Sequence, residues 1–93
     1  MTPRVDCEEL DSGWRCTVTV GDDPGATRHD VTVDESTLAD LAPGATATKL
    51  VLESFGFLLE REPRESIMRR FDLPIIGRFF PEYPDEIRRR LAG

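Results

Sequence analysis

Residues 50–83 read LVLESFGFLLEREPRESIMRRFDLPIIGRFFPEY and hold most of the large apolar side chains of this 93-residue chain. Their spacing predicts one main helix from about Ala45 to Arg61. At about 100° per residue, Ala47, Leu50, Val51, Leu52, Phe55, Leu58 and Leu59 cover a wide arc, and Phe57 extends it. Only Thr46, Lys49, Glu53, Gly56 and Glu60 form a narrow polar strip, with Lys49 and Glu53 four apart and able to pair. A surface helix of a globular protein carries a narrower apolar stripe than this. The helix must therefore be covered on two sides, by a sheet on one and by C-terminal elements on the other.

Beyond residue 61 prolines cut the chain into short pieces. Pro63 suits the first turn of a helix over about Arg64–Phe71, Pro74 opens a short helix reaching Phe80, and Pro84 starts a last helix over Asp85–Leu91. The last piece begins with acids and ends in Arg88, Arg89 and Arg90, the order that a helix dipole favours.

Working outward to the N-terminus, RVDCEEL (residues 4–10) and WRCTVTV (14–20) alternate as strands do. A tight turn at Asp11 and Ser12 pairs Leu10 with Gly13, Glu9 with Trp14, Glu8 with Arg15, Cys7 with Cys16 and Val5 with Val18; a three-residue loop would shift these pairs. That register puts Val5, Cys7, Trp14, Cys16, Val18 and Val20 on one face, and an ion pair between Glu8 and Arg15 on the other. Residues 21–25, GDDPG, form a loop, and TRHDVTV (27–33) reads as a third strand with His29, Val31 and Val33 on one side. Asp34 is placed to cap a short helix over Glu35–Leu41, with Leu38 and Leu41 inward. The expected architecture is a single α+β domain over residues 1–93. A three-stranded antiparallel sheet (1–33) packs on one long helix, and short C-terminal helices complete the helical layer (34–93).

Composition narrows the function classes. The net charge of −6 sits in the first half, where ten acids oppose three arginines through Gly44; from Ala45 on, nine bases face eight acids. Such a molecule repels a polyanion at long range. The longest apolar run is three residues, far short of the ~20 that a spanning helix needs, so no membrane partner is expected. The first ten residues lack the basic-then-apolar pattern of a signal peptide, which makes a reducing cytoplasm the expected compartment. There, Cys7 and Cys16 are expected to be two small buried thiols.

Sites for chemistry are sparse. Cys7, Cys16 and His29 fit no compact zinc spacing. His29, the only histidine, has no partner that sequence can name, and no nucleophile, phosphate-loop or dinucleotide motif is present. No cofactor, metal or catalytic residue is assigned, and an enzyme of unassigned reaction is the least favoured reading. Ser66–Phe80 resembles a helix-turn-helix, with Ile67, Phe71, Leu73, Ile76 and Phe79 near its apolar positions. Its second helix offers Arg78 and little else polar, so nucleic-acid binding is a secondary expectation.

FLLEREPRESIMRRFDLPIIGRFFPEY, from Phe57 on, resembles a group of small uncharacterised bacterial proteins with a FLLEREP…ESI…FDL…I…FPE signature. The words Glu60-Arg61-Glu62-Pro63, Glu65-Ser66-Ile67, Phe71-Asp72-Leu73 and Phe80-Pro81-Glu82 carry the resemblance, which implies no reaction, cofactor or ligand. A sheet with helices is also similar in outline to small antitoxin-like regulators, by fold analogy only. The favoured expectation is a non-enzymatic interaction or regulatory module, acting on a protein partner or on a second copy of itself. Its expected surface joins Arg64, Arg69, Arg70, Arg78, Phe79, Phe80 and Tyr83, because aromatics and arginine together are the composition of interface hot spots.

Overall fold

The computed structural model describes residues 2–22 and 24–92, so Asp23 of the 21–25 loop lies outside the described residues. Among the described residues, strands β1 (Arg4–Leu10), β2 (Gly13–Val20), β3 (Thr27–Asp34) and β4 (Arg70–Asp72) form one sheet in the order β1-β2-β3-β4. Helices α1 (Glu35–Leu41), α2 (Ala47–Leu59), α3 (Ile76–Phe79) and α4 (Tyr83–Ala92) cover its apolar face.

The β1–β2 hairpin has the register that the turn dictates: Leu10 opposite Gly13, Glu8 opposite Arg15, Cys7 opposite Cys16 and Val5 opposite Val18. A two-residue turn fixes every later pair, since slipping by one would turn the apolar set to water. Arg15 and Glu8 pair at 3.3 Å on the solvent face. The opposed cysteines, with Cα atoms 4.0 Å apart, are joined as a disulfide rather than left as thiols. The register that makes them neighbours across the pleat also brings their sulfurs within bonding reach. Gly13 packs so closely on β3 that an added Cβ would lie 2.1 Å from the Val33 carbonyl oxygen. The turn then starts the next element: the Glu35 amide donates to the Ser12 carbonyl at 3.0 Å, while the Asp34 side chain makes no capping bond to α1.

The sheet differs from the expected three antiparallel strands. Arg70–Asp72 adds a fourth, parallel to β3, with Val31 opposite Phe71. Parallel neighbours need a long crossover, and residues 35–69 supply it through α1 and α2. The second half of the chain thus completes the sheet begun by the first. The helix expected over about 64–71 is reduced to a 3-10 turn at Arg64–Ser66, followed by extended chain. Two backbone carbonyls explain this. Arg69 O accepts from the Asp30 amide (2.7 Å) and Met68 O accepts from the His29 ring (2.8 Å). In a helix these carbonyls would point along its axis and not sideways toward β3.

The core lies between the sheet and α2. Val18, Val20, Val31 and Val33 meet Leu50, Val51, Phe55 and Leu58, all buried. The second covered side of α2 is closed by the C-terminal elements. Phe57 is fully buried against Tyr83 (ring centroids 5.3 Å) and Phe80 (5.8 Å), both edge-on. The Arg61 guanidinium sits 3.6 Å above the Phe57 ring centroid. Arg61 also donates to the Phe57 carbonyl (3.1 Å) and to Glu82 (3.3 Å), and Arg90 of α4 pairs with Glu60 at 2.5 Å. That partner and Arg61 hold the exposed Glu60 carboxyl below its usual range. Arg88 ties α4 to the end of α1 through the Asp40 carbonyl (3.2 Å) and carboxylate (3.1 Å). Much of the Glu60-Arg61-Glu62-Pro63 and Phe80-Pro81-Glu82 wording is thus spent on docking α4.

Tyr83 leaves the surface expected for it. Only 1% of it is exposed, because α4 begins there and its first turn points into the core. Its hydroxyl lies 2.7 Å from Ser54 Oγ, which itself donates to the Leu50 carbonyl at 2.7 Å. Ser54 has one proton, so Tyr83 must be the donor in their bond. Burial pushes the Tyr83 pKa up to about 12, with the Ser54 bond acting the other way.

Candidate interaction site

One apolar groove stands out on the helical side, about 290 Å³ in volume. Leu58 of α2, Ile67 and Phe71 of the β4 segment, and Ile76 of α3 form its buried floor. Ile75 and Phe80 line it half-buried, and Glu62 and Ser66 contribute its polar edge. At the rim stand Met68 and Phe79, 42% and 64% exposed. The groove is bordered by two short turns, Leu73–Ile75 and Ile76–Phe79, with Pro74 in the first and Pro81 just after the second. Phe80 turns inward onto Phe57 and Phe79 turns outward.

The sequence-predicted site residues do not form one surface. Phe79 and Phe80 line the groove. Arg64 lies elsewhere, beside Val20 and Leu59, and pairs with Glu65 at 3.2 Å. Arg70 is on the outer sheet face, 3.7 Å from Asp30 and near Arg15 and Thr32. Arg69 is exposed near His29, where its charge is felt by the ring. Arg78 borders a shallow cleft with Thr32, Asp34 and Asp72 and makes no ion pair among the described residues. In β4, where residues alternate sides, Arg70 and Phe71 are adjacent in sequence yet lie on opposite faces. Met68, Glu62 and Leu58 are groove residues that the sequence reading did not single out. The exposure of Met68 is legible only once 67–72 is known not to be helical.

The helix-turn-helix expectation lacks its first helix, since the chain makes only a 3-10 turn at Arg64–Ser66 and is strand at Arg70–Asp72. Nor is His29 available for acid–base work. It has no exposed surface, packs 5.3 Å from the Phe55 ring, and is engaged at both nitrogens. The Met68 carbonyl can only accept, so Nδ1 carries the proton, and Nε2 accepts from the Thr27 hydroxyl at 3.0 Å. The ring is a strut between β3 and the chain leading into β4. Among the described residues, no cluster of His, Cys, Asp and Glu could hold a metal ion, and no helix is long and apolar enough to cross a membrane.

Burial lowers the His29 pKa from its ordinary 6.5; the Met68 carbonyl works against this and the Arg69 charge adds to it. The unfolded chain therefore takes up this proton at higher pH than the folded one. Stability is fully present above pH 6.5 and is lost as pH falls from there through the folded value. Urea midpoints should drop on acidification from pH 6.5 to about 5, before most carboxylates titrate. His29→Gln should flatten that drop, and equal slopes for the two proteins would show that His29 is not its source.

With the geometry in place, comparison with known proteins adds no relative: no protein-family model, no curated protein and no solved structure matches the chain.

Proposed function

We propose that the chain is a non-enzymatic interaction module that docks a protein partner through the groove between α2, the β4 segment and α3. The observation that carries this reading is Phe79, an aromatic ring 64% exposed at the lip of an apolar groove. Its neighbour Phe80 turns in against Phe57, while Phe79 is left in solvent. Exposed aromatics beside apolar hollows are the usual anchors of protein contacts. The resemblance to the small bacterial group with the FLLEREP…FPE signature fits this reading without extending it. A cytoplasmic location also belongs to the reading. The Cys7–Cys16 bond attaches a condition, since disulfides there are transient and exchange with thiols.

The test is retention of partners from the cell of origin on immobilised wild-type protein and on Phe79→Ser. Because Phe79 is exposed, the variant should keep its melting temperature within about 2–4 °C. A protein retained by the wild type and lost by Phe79→Ser is the expected result. Identical sets on both, or nothing retained, would sink the proposal.

A further inference from the structure

We infer that the occupant of this groove is a second copy of the chain, an inference that rests on the docking reading above. The argument is charge and shape carried by the same element. Glu62 is the only charged residue lining the groove, and its carboxylate makes no ion pair or side-chain hydrogen bond among the described residues. An occupant that matches this groove presents one large apolar group with a cation next to it. The chain presents that pair itself: Phe79 is exposed at the rim, and the adjacent Arg78 is exposed and has no ion-pair partner among the described residues. Asp34 and Asp72 border the cleft beside Arg78 without approaching within ion-pair distance, so its guanidinium is free to swing.

A two-fold arrangement uses each patch twice. Phe79 of one copy enters the groove of the other, Arg78 reaches the other's Glu62, and the same contacts recur in reverse. The opposite side of the molecule is poorly suited to the task. The open edge strand β1 carries Asp6, Glu8 and Glu9 within seven residues, so carboxylates would face carboxylates if it met its own copy. The net charge of −6 also opposes association, which selects for a contact where opposite charges meet locally. The contact is small and centred on one ring per copy, so its dissociation constant is expected on the order of 10 μM.

Sedimentation equilibrium from about 1 to 200 μM, bracketing that value, with melting curves alongside, tests the inference on five proteins. Wild type should be a reversible dimer. Phe79→Ser should raise the dissociation constant about tenfold or more at unchanged melting temperature. Glu62→Arg and Arg78→Glu should each weaken the dimer, and Glu62→Arg/Arg78→Glu should restore it at the wild-type net charge. Mixing the two single variants should give a mixed dimer, because both of its ion pairs are then of opposite sign. A wild type that stays monomeric at the top concentration overturns this inference; if a different protein is still lost on Phe79→Ser, the docking reading survives it. A dimer indifferent to Phe79→Ser overturns both. Loss on Phe79→Ser without rescue by the double reversal overturns the Glu62–Arg78 pairing.

Discussion

Phe57→Ala is expected to remove about 3–5 kcal/mol of stability. A 93-residue domain typically has only about 5–14 kcal/mol in all. The ring is fully buried, with Tyr83 and Phe80 on its edges and the Arg61 guanidinium over its face. Neither ring neighbour is free to collapse into the space. Tyr83 is held by Ser54, and Phe80 is held by the turn between Pro74 and Pro81. The cavity would therefore stay open, which places the cost at the upper end of the range for such truncations. Thermal unfolding followed by circular dichroism should show the midpoint falling by roughly 15 °C or more. Phe57 also sets the position of Phe80, so the groove should deform in the same variant. A loss below about 1 kcal/mol would mean that α4 does not enclose the ring.

Gly13→Ala is expected to cost about 3 kcal/mol, the top of the range for overpacking. The new methyl would stand 2.1 Å from the Val33 carbonyl oxygen and 2.9 Å from the Asp34 Cα. Both are backbone atoms inside a strand pair, and Asp34 leads directly into α1, so relief requires moving the β3–α1 junction. Gly56→Ala makes the matching control. There the added Cβ meets only the Arg90 guanidinium end at 3.5 Å, and replacing a mid-helix glycine gains up to about 1 kcal/mol. Urea titrations of the two variants should move in opposite directions. A Gly13→Ala protein as stable as wild type would contradict the close approach of β2 and β3.

The parts of this fold that were legible in the sequence are those fixed by local rules. The β1–β2 register could be read pair by pair for a two-residue turn, and the structure has that turn rather than the three-residue loop that would have shifted the pairs. The two-sided burial of α2 followed from the width of its apolar arc, and the presence of the last helix from proline and charge order, although it begins at Tyr83, two residues before the expected Asp85. β4 was not legible. Three residues give no alternation to count, and Ile67, Met68 and Phe71 mimic helical spacing. What decides between helix and strand there is the unpaired edge of β3 and the His29 ring, both some 40 residues away in sequence. The candidate site suffered from the same distance. Phe79 and Phe80 were identifiable as a pair, but which ring turns outward depends on whether Phe57 is there to receive the other. Tyr83 looked like a surface aromatic between prolines and acids, and only its bond to Ser54 shows why it is inside.

The parallel pairing of β4 has a consequence for time as well as shape. Asp30 meets Arg70, and Thr32 meets Asp72, across a closed loop of 40 residues, against fewer than twenty for any pair in the β1–β2 hairpin. Such distant contacts form late in folding, and β4 joins the sheet through only three residue pairs, helped by the His29 ring, the Thr32–Asp72 bond, the Arg70–Asp30 pair and buried Phe71. The floor of the groove, Ile67 and Phe71, flanks and forms that strand. The docking surface is therefore built on the most loosely fastened seam of the sheet. Its amides should be the first to exchange with deuterated water, and an occupant in the groove should slow them before it slows any others.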